Sequence, residues 1–245
     1  MGCNSGNDLI PRGRVMDLLL TGLSRSGSTM IGNLMTIPKK SWVICEPEGG
    51  GGYCKKRVQA QAKDLGIEIT DLKKEAVYGL LDKELLRWGI KEVRASVRDR
   101  VYTQWKPKKV FICVRDARDI VISMVEFKMK LVRDKDEQRG ALKGLTNQCK
   151  SLMRFLKRVP KEDIGLIYYE KLVSDPDYRN SLKRPLGWDF SGDPERWLNH
   201  YNRTNEKRGG KVISRRSRKD REKYKTLVKN AHEASKEYQE RFGYI

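Results

Sequence analysis

The sequence predicts a three-layer α/β fold, a central parallel sheet of about four to five strands flanked by helices. Three observations predict it. Short apolar runs alternate with amphipathic stretches along the chain; several runs are almost continuously apolar, as strands buried on both faces must be; and the first run leads directly into a glycine- and hydroxyl-rich turn that opens a helix. In chain order the strands fall at Met16 to Thr21, Trp42 to Cys45, Val93 to Val97, Val110 to Val114 and Ile164 to Tyr168. Helical periodicity marks 29–36, 71–88, 117–132, 141–158 and 219–242. Sheets of this kind bind ligands beyond the carboxyl ends of their strands, so the loops after Thr21, Cys45 and Val114 should face one cleft.

A chain of 245 residues is long enough for one substantial core, and no composition shift or repeat divides it. A single domain over 1–245 is expected, with 1–12 a loose tail. Fifty-two Lys and Arg against thirty-two Asp and Glu give a formal charge of +20, which favours anionic partners: a nucleotide, an acidic glycan or peptide, nucleic acid or anionic lipid. Some nonspecific nucleic-acid affinity is expected from that charge, but no aromatic-interleaved basic sheet, finger or basic helix-turn-helix pattern accompanies it. The five cysteines show no metal-ligand spacing, and Cys45 and Cys113 sit inside apolar runs, which suits a reducing compartment. The opening lacks the layout of a secretory signal, and Gly6 stands where a myristoylation pattern wants Ser or Thr. No run approaches a membrane span, and a cytoplasmic location is expected.

The turn after the first strand carries the chemistry. Gly22-x-x-x-x-Gly27-Ser28-Thr29 has the P-loop-like spacing G-x-x-x-x-G-K-S/T, with Ser28 in place of the lysine. A triphosphate loop uses that lysine to reach the terminal phosphates; here the nearby cation is Arg25, inside the loop. The two glycines let the backbone approach a ligand closely, while Ser26, Ser28, Thr29 and Arg25 supply donors to an anion other than ATP. The plainer alternative is a turn that only caps a helix. A second segment, KKVFICVRDARDIVISMVEF at 108–127, places Arg115 at a strand tip and Ser123 two turns into the next helix, where both could reach one anion. Alternatively Arg115 pairs with Asp119.

These residues resemble the sulfotransferase family. GLSRSGSTMIGNLM is similar to its 5'-phosphosulfate loop, K/R-S/G-G-S/T-S/T. R-D-A-R-D-x-x-x-S, containing Arg115 and Ser123, resembles its 3'-phosphate motif R-D/N-P-R-D-x-x-x-S, with Ala117 in place of proline. IYYEKLVSDP at 167–176 is similar to the family segment Y-E-D/K-L-x-x-D/H-P, and the stretch from Ser214 to Phe242-Gly243-Tyr244 resembles the end of bacterial, Golgi and tyrosylprotein-type members.

The resemblance implies transfer of a sulfuryl group from 3'-phosphoadenosine 5'-phosphosulfate (PAPS) to an acceptor hydroxyl or amine, leaving 3',5'-ADP, without a metal. It assigns Arg25, Ser26, Gly27, Ser28 and Thr29 to the phosphosulfate, with Arg25 also neutralising charge on the leaving oxygen, and Arg115 and Ser123 to the 3'-phosphate. Ser214 and Arg218 would close over that phosphate, or belong to a solvated basic face. The histidines, His200 and His232, both lie in the polar C-terminal third, so the general base is expected to be Glu46, with Glu48 the alternate, as in the Glu-base branches of the family. Alternatively Glu46 only pairs with a local Lys or Arg. Gly49 to Gly52 form either a lid or a surface loop. The rival readings are a P-loop kinase-like phosphotransferase, with Mg2+ held by Thr29 and Asp116, and a basic nucleic-acid-binding protein. The acceptor class stays open among acidic glycans, peptides and small molecules.

Overall fold

The structure, a computed structural model, describes residues 16–49, 52–53, 55–71, 73–85, 87–129, 135–193 and 218–245. The first half runs β1 (Leu18–Gly22), α1 (Ser28–Leu34), β2 (Ser41–Cys45), β3 (Glu48–Gly49), β4 (Gly52–Tyr53), α2 (Lys55–Asp64), α3 (Lys74–Glu84), β5 (Arg87–Lys91) and α4 (Ala95–Trp105). The second half runs β6 (Lys109–Val114), α5 (Ala117–Met129), α6 (Lys135–Leu156), β7 (Ile164–Tyr168), α7 (Tyr169–Ser174), α8 (Pro176–Ser181), α9 (Lys183–Leu186), α10 (Arg218–Lys223), α11 (Lys225–Ala234) and α12 (Lys236–Phe242).

Five strands pair in parallel in the order β2-β5-β1-β6-β7. Alternate residues of β1 feed opposite faces, as a pleated strand requires. Leu19 packs with Trp42, Ile44, Trp88, Ile90 and Ile112 beneath α2 to α6 and the C-terminal helices. Leu18 and Leu20 pack with Val43, Phe111, Cys113 and Ile167 beneath α1, α7 and the segment carrying Trp188 and Phe190. Burial on both faces explains the unbroken apolar runs and gives the three layers expected from the sequence.

The largest departure lies at β5. The expected helix over 71–88 stops at Glu84, the third sheet strand is Arg87–Lys91 rather than Val93–Val97, and the latter stretch opens α4. Arg-Trp-Gly-Ile-Lys hides a strand because its ends are charged and its centre is glycine. Gly89 is there for a steric reason: a Cβ on it would lie 2.5 Å from the Leu18 carbonyl of the neighbouring strand. Val97, Val101 and Trp105, spaced one helical turn apart, bury the inner face of α4. Trp105 and Trp88 close an aromatic cluster with Tyr78, at centroid distances of 4.6 to 5.8 Å. Part of the glycine run forms an antiparallel pair, Glu48 with Tyr53 and Gly49 with Gly52. The expected helix 219–242 is broken into three, at Tyr224 and Ser235. Among the described residues no helix is long and apolar enough to cross a membrane.

Candidate active site

β1, β2, β5 and β6 all end at one edge of the sheet, and the loop with Arg25 to Thr29, Glu46 and Arg115 follow their ends there. The loop after β1 is held from several sides. Gln148 on α6 accepts the Ser24 amide at 2.7 Å, the Ser26 amide donates to the Leu23 carbonyl at 3.1 Å, and the buried Cys113 thiol donates to the Ser26 carbonyl at 3.0 Å. Burial pushes that thiol up to about 12, so it stays a neutral donor. Two loop residues take left-handed backbone, Gly27 (φ 94) and Arg25 (φ 70). At Gly27 only glycine fits, since a Cβ would stand 2.2 Å from the Tyr169 ring. At Arg25 the conformation is strained, and such strain gathers where structure serves a ligand. Gly27 also precedes α1 without a side-chain cap, leaving first-turn amides of that helix to other acceptors.

The turn after β6 meets this loop. Arg115 Nη1 donates to the Arg25 carbonyl at 3.0 Å, and Arg25 Nε donates to Ser123 Oγ at 3.2 Å. The Arg115 guanidinium lies 4.3 Å over the Tyr169 ring, so Tyr169 is the floor on which both the loop and Arg115 rest. Asp119 is not the partner of Arg115, as the plainer alternative had it. It accepts from Arg221 Nε of α10 at 2.9 Å. Burial raises the Asp119 carboxyl above the usual range, with Arg221 offsetting only part. At Asp116 burial also acts upward, but hydrogen bonds and charge from Arg118, with Arg221, outweigh it and hold the group low.

Three buried polar atoms at this junction have no hydrogen-bond partner among the described residues: Arg115 Nε, Ser26 Oγ and Thr21 Oγ1. Leaving such groups unpaired costs about 1–3 kcal/mol each, which is why buried polar groups are nearly always satisfied by something. With one cation exposed in the loop (Arg25) and one buried beside it (Arg115, 7% exposed), the donor set suits a multiply charged anion.

Glu46 follows β2 with left-handed backbone (φ 49). β2 is an edge strand, and Gln61 of α2 takes up its outer groups by accepting the Cys45 amide at 2.8 Å and donating to the Cys45 carbonyl at 3.0 Å. Glu46 Oε1 lies 2.5 Å from Lys91 Nζ at the end of β5, with side chains 19% and 4% exposed. The pairing foreseen as an alternative is therefore present, and its partner comes from the strand between β2 and β1. Beside it, Glu92 is fully buried and binds Arg94 through both carboxylate oxygens. Glu48 lies in β3. Arg218 begins α10, whose Arg221 contacts the Asp116–Asp119 turn. Ser214 and His200 lie outside the described residues. His232 sits on α11 against Gln239 Nε2 at 3.2 Å.

No family model and no curated protein matches the chain. Solved structures do. The sulfotransferase domain from the curacin biosynthetic pathway superposes with TM-score 0.58 at 15% identity, covering 93% of this chain and 99% of that one. A sulfotransferase from Mycobacterium avium gives 0.57 at 14%, covering 93% and 77%. Retinol dehydratase, solved with androsterone and PAP, gives 0.53 at 15%, covering 91% and 80%. The chain has the sulfotransferase fold.

Within the sulfotransferase fold, the two segments singled out from the sequence are the loop of β1 and the turn of β6, adjacent strands whose tips touch. Lys91, Tyr169 and Gln61 were not foreseen. A lysine closing an apolar strand was the available signal for Lys91, had Arg87–Lys91 been read as a strand. Tyr169 stood inside the quoted IYYEKL segment without a role. Nothing in the sequence marks Gln61.

Proposed function

We propose that the protein transfers a sulfuryl group from PAPS to an acceptor hydroxyl or amine, with Glu46 as general base. The observation that carries the reading is the junction of Arg25 with Arg115 and Ser123: two segments resembling the two phosphate-binding halves of one donor site are joined by direct hydrogen bonds. The unpaired Arg115 Nε, Ser26 Oγ and Thr21 Oγ1 add donors on these same segments that an anionic ligand would satisfy.

PAPS, when bound, supplies a sulfuryl group on a phosphate leaving group. Loop amides with Ser26, Ser28 and Thr29 hold the phosphosulfate in line, and Arg115 and Ser123 hold the 3'-phosphate. Glu46 accepts the proton of the acceptor hydroxyl or amine as its oxygen or nitrogen bonds to sulfur. Arg25 meets the charge gathering on the bridging oxygen as the sulfur–oxygen bond to phosphate breaks. Lys91 orients Glu46. Ser214, outside the described residues, and Arg218 are the remaining candidates for the 3'-phosphate, the alternative being a solvated basic face. Neighbours of the same fold solved with androsterone or retinol favour a small apolar acceptor, while the charge of +20 favours an acidic one.

Incubation with sulfur-labelled PAPS and a panel of hydroxyl and amine acceptors, in chelator, should move label to an acceptor and release 3',5'-ADP. Mg2+-dependent phosphate transfer from ATP instead would overturn the reading. In the same assay Arg25→Ala should lower the rate about 100-fold with a much smaller loss of nucleotide affinity, because its charge acts on the leaving group. An equal loss of affinity makes Arg25 a binding residue. Arg115→Ala and Ser123→Ala should weaken 3',5'-ADP about 10- to 100-fold in calorimetry, and 5'-AMP far less, since charged hydrogen bonds are worth about 1.5–3 kcal/mol. Equal losses on both nucleotides would detach these residues from the 3'-phosphate.

A further inference from the structure

Arg115 lies one residue beyond the paired part of β6: the register ends at Val114 against Tyr168 of β7 and at Cys113 against Gly22 of β1. Its main-chain amide and carbonyl therefore have no strand partner, and both are buried. A single side chain takes both. Tyr238 of α12, fully buried, donates its hydroxyl to the Arg115 carbonyl at 3.0 Å and accepts the Arg115 amide at 3.2 Å. Its ring is braced by Phe242 at 4.9 Å. The next amide, of Asp116, donates to Glu170 Oε1 at 2.9 Å, and Glu170 Oε2 accepts from the hydroxyl of Tyr244 at 2.6 Å. Arg221 of α10 then binds Asp116 Oδ2 at 3.1 Å and Asp119 Oδ1 at 2.9 Å.

Three residues of the C-terminal helices and tail, one of them through Glu170, thus hold Arg115, Asp116 and Asp119, the turn from which the Arg115 guanidinium is aimed at the loop. A hydrogen bond is directional, so the tyrosine hydroxyl sets both the position and the tilt of the Arg115 peptide units, and through them the guanidinium. Gln61 does the same for Cys45 ahead of Glu46, so the device recurs at the tips of β2 and β6.

We infer that Tyr238 is a positioning residue for Arg115, and that the C-terminal helices set the protein's selectivity for a nucleotide carrying a 3'-phosphate. The inference rests on the donor reading above. Tyr238 touches no ligand itself; it acts through Arg115.

The test is calorimetric titration of 3',5'-ADP and 5'-AMP into the full chain, wild type and Tyr238→Phe. Phenylalanine keeps the ring packing and removes only the hydroxyl. The expected result is about tenfold weaker 3',5'-ADP binding with less than about twofold change for 5'-AMP, the size of one lost buried hydrogen-bonding group expressed at one phosphate. Trp105→Leu, which loosens the aromatic cluster with Tyr78 and Trp88 and touches neither Tyr238 nor Arg115, should lower the melting temperature and leave the ratio of the two affinities at its wild-type value. Equal weakening of both nucleotides by Tyr238→Phe, or none, would overturn the inference. Should Tyr238→Phe fail to fold, Arg221→Met, at a half-buried position, should reduce the ratio about threefold, and an unchanged ratio there overturns it equally. A wild-type protein that does not prefer 3',5'-ADP over 5'-AMP would instead remove the donor reading, and that outcome is visible before any substitution is made.

Discussion

Glu46→Gln is expected to lower turnover by about 10²- to 10⁴-fold, the usual contribution of a positioned general base, while 3',5'-ADP binds almost as in wild type. The amide has the shape of the carboxylate and still accepts a hydrogen bond from Lys91, so the geometry at the end of β2 is kept. Gln61 on Cys45 holds the preceding residue regardless. What the amide cannot do is take a proton. The substitution also leaves the buried Lys91 ammonium without its counter-charge, so a fall in melting temperature should accompany the kinetic loss. Initial rates and product-nucleotide titration on the same preparation separate the two effects. Unchanged turnover would leave Glu46 as the counterion of Lys91 and nothing more.

Gly27→Ala should abolish nucleotide binding, with a loss of more than about 100-fold, while far-ultraviolet dichroism stays that of the wild type. The new Cβ would sit 2.2 Å from a Tyr169 ring carbon at a backbone φ of 94°. The ring has little freedom to yield, since it is 3% exposed and the Arg115 guanidinium is stacked on it. Relief must come from the loop, which carries Arg25 and Ser26 out of register with Arg115. Gly144→Ala is the control: it lies within α6, nothing stands within 4 Å of its added Cβ, and it should stabilise the helix by about 0.5–1 kcal/mol. Titration of 3',5'-ADP into both variants checks the pair. Full affinity in Gly27→Ala would mean that the loop does not have to rest on Tyr169 for binding.

What could be read in the sequence follows a physical divide. The parallel sheet was legible because strands buried on both faces are written as apolar runs, and the loop and the turn were legible because each is a contiguous segment with its own residue pattern. β5 was not: Gly89 answers to the Leu18 carbonyl of another strand, and neither its reason nor the strand's charged ends can be read locally. The same holds within the site. Arg25, Arg115 and Ser123 were found one segment at a time, but their meeting depends on β1 and β6 being neighbours. Glu46 was open between a base and an ion-paired carboxylate, and its partner, Lys91, comes from a strand that local periodicity missed. Tyr238 lay unremarked within the helical stretch 219–242. Only the end of the β6 pairing at Val114 gives its hydroxyl a purpose.

The nucleotide that this site holds can be read from the melting temperature of the purified protein with 3',5'-ADP, 5'-AMP and Mg-ATP in parallel. A ligand that binds the folded state alone raises it, by an amount that grows with concentration over dissociation constant. A site for a 3'-phosphorylated donor should give the largest rise with 3',5'-ADP, undiminished by chelator, and little with 5'-AMP. A larger rise with Mg-ATP, lost on adding chelator, would contradict it.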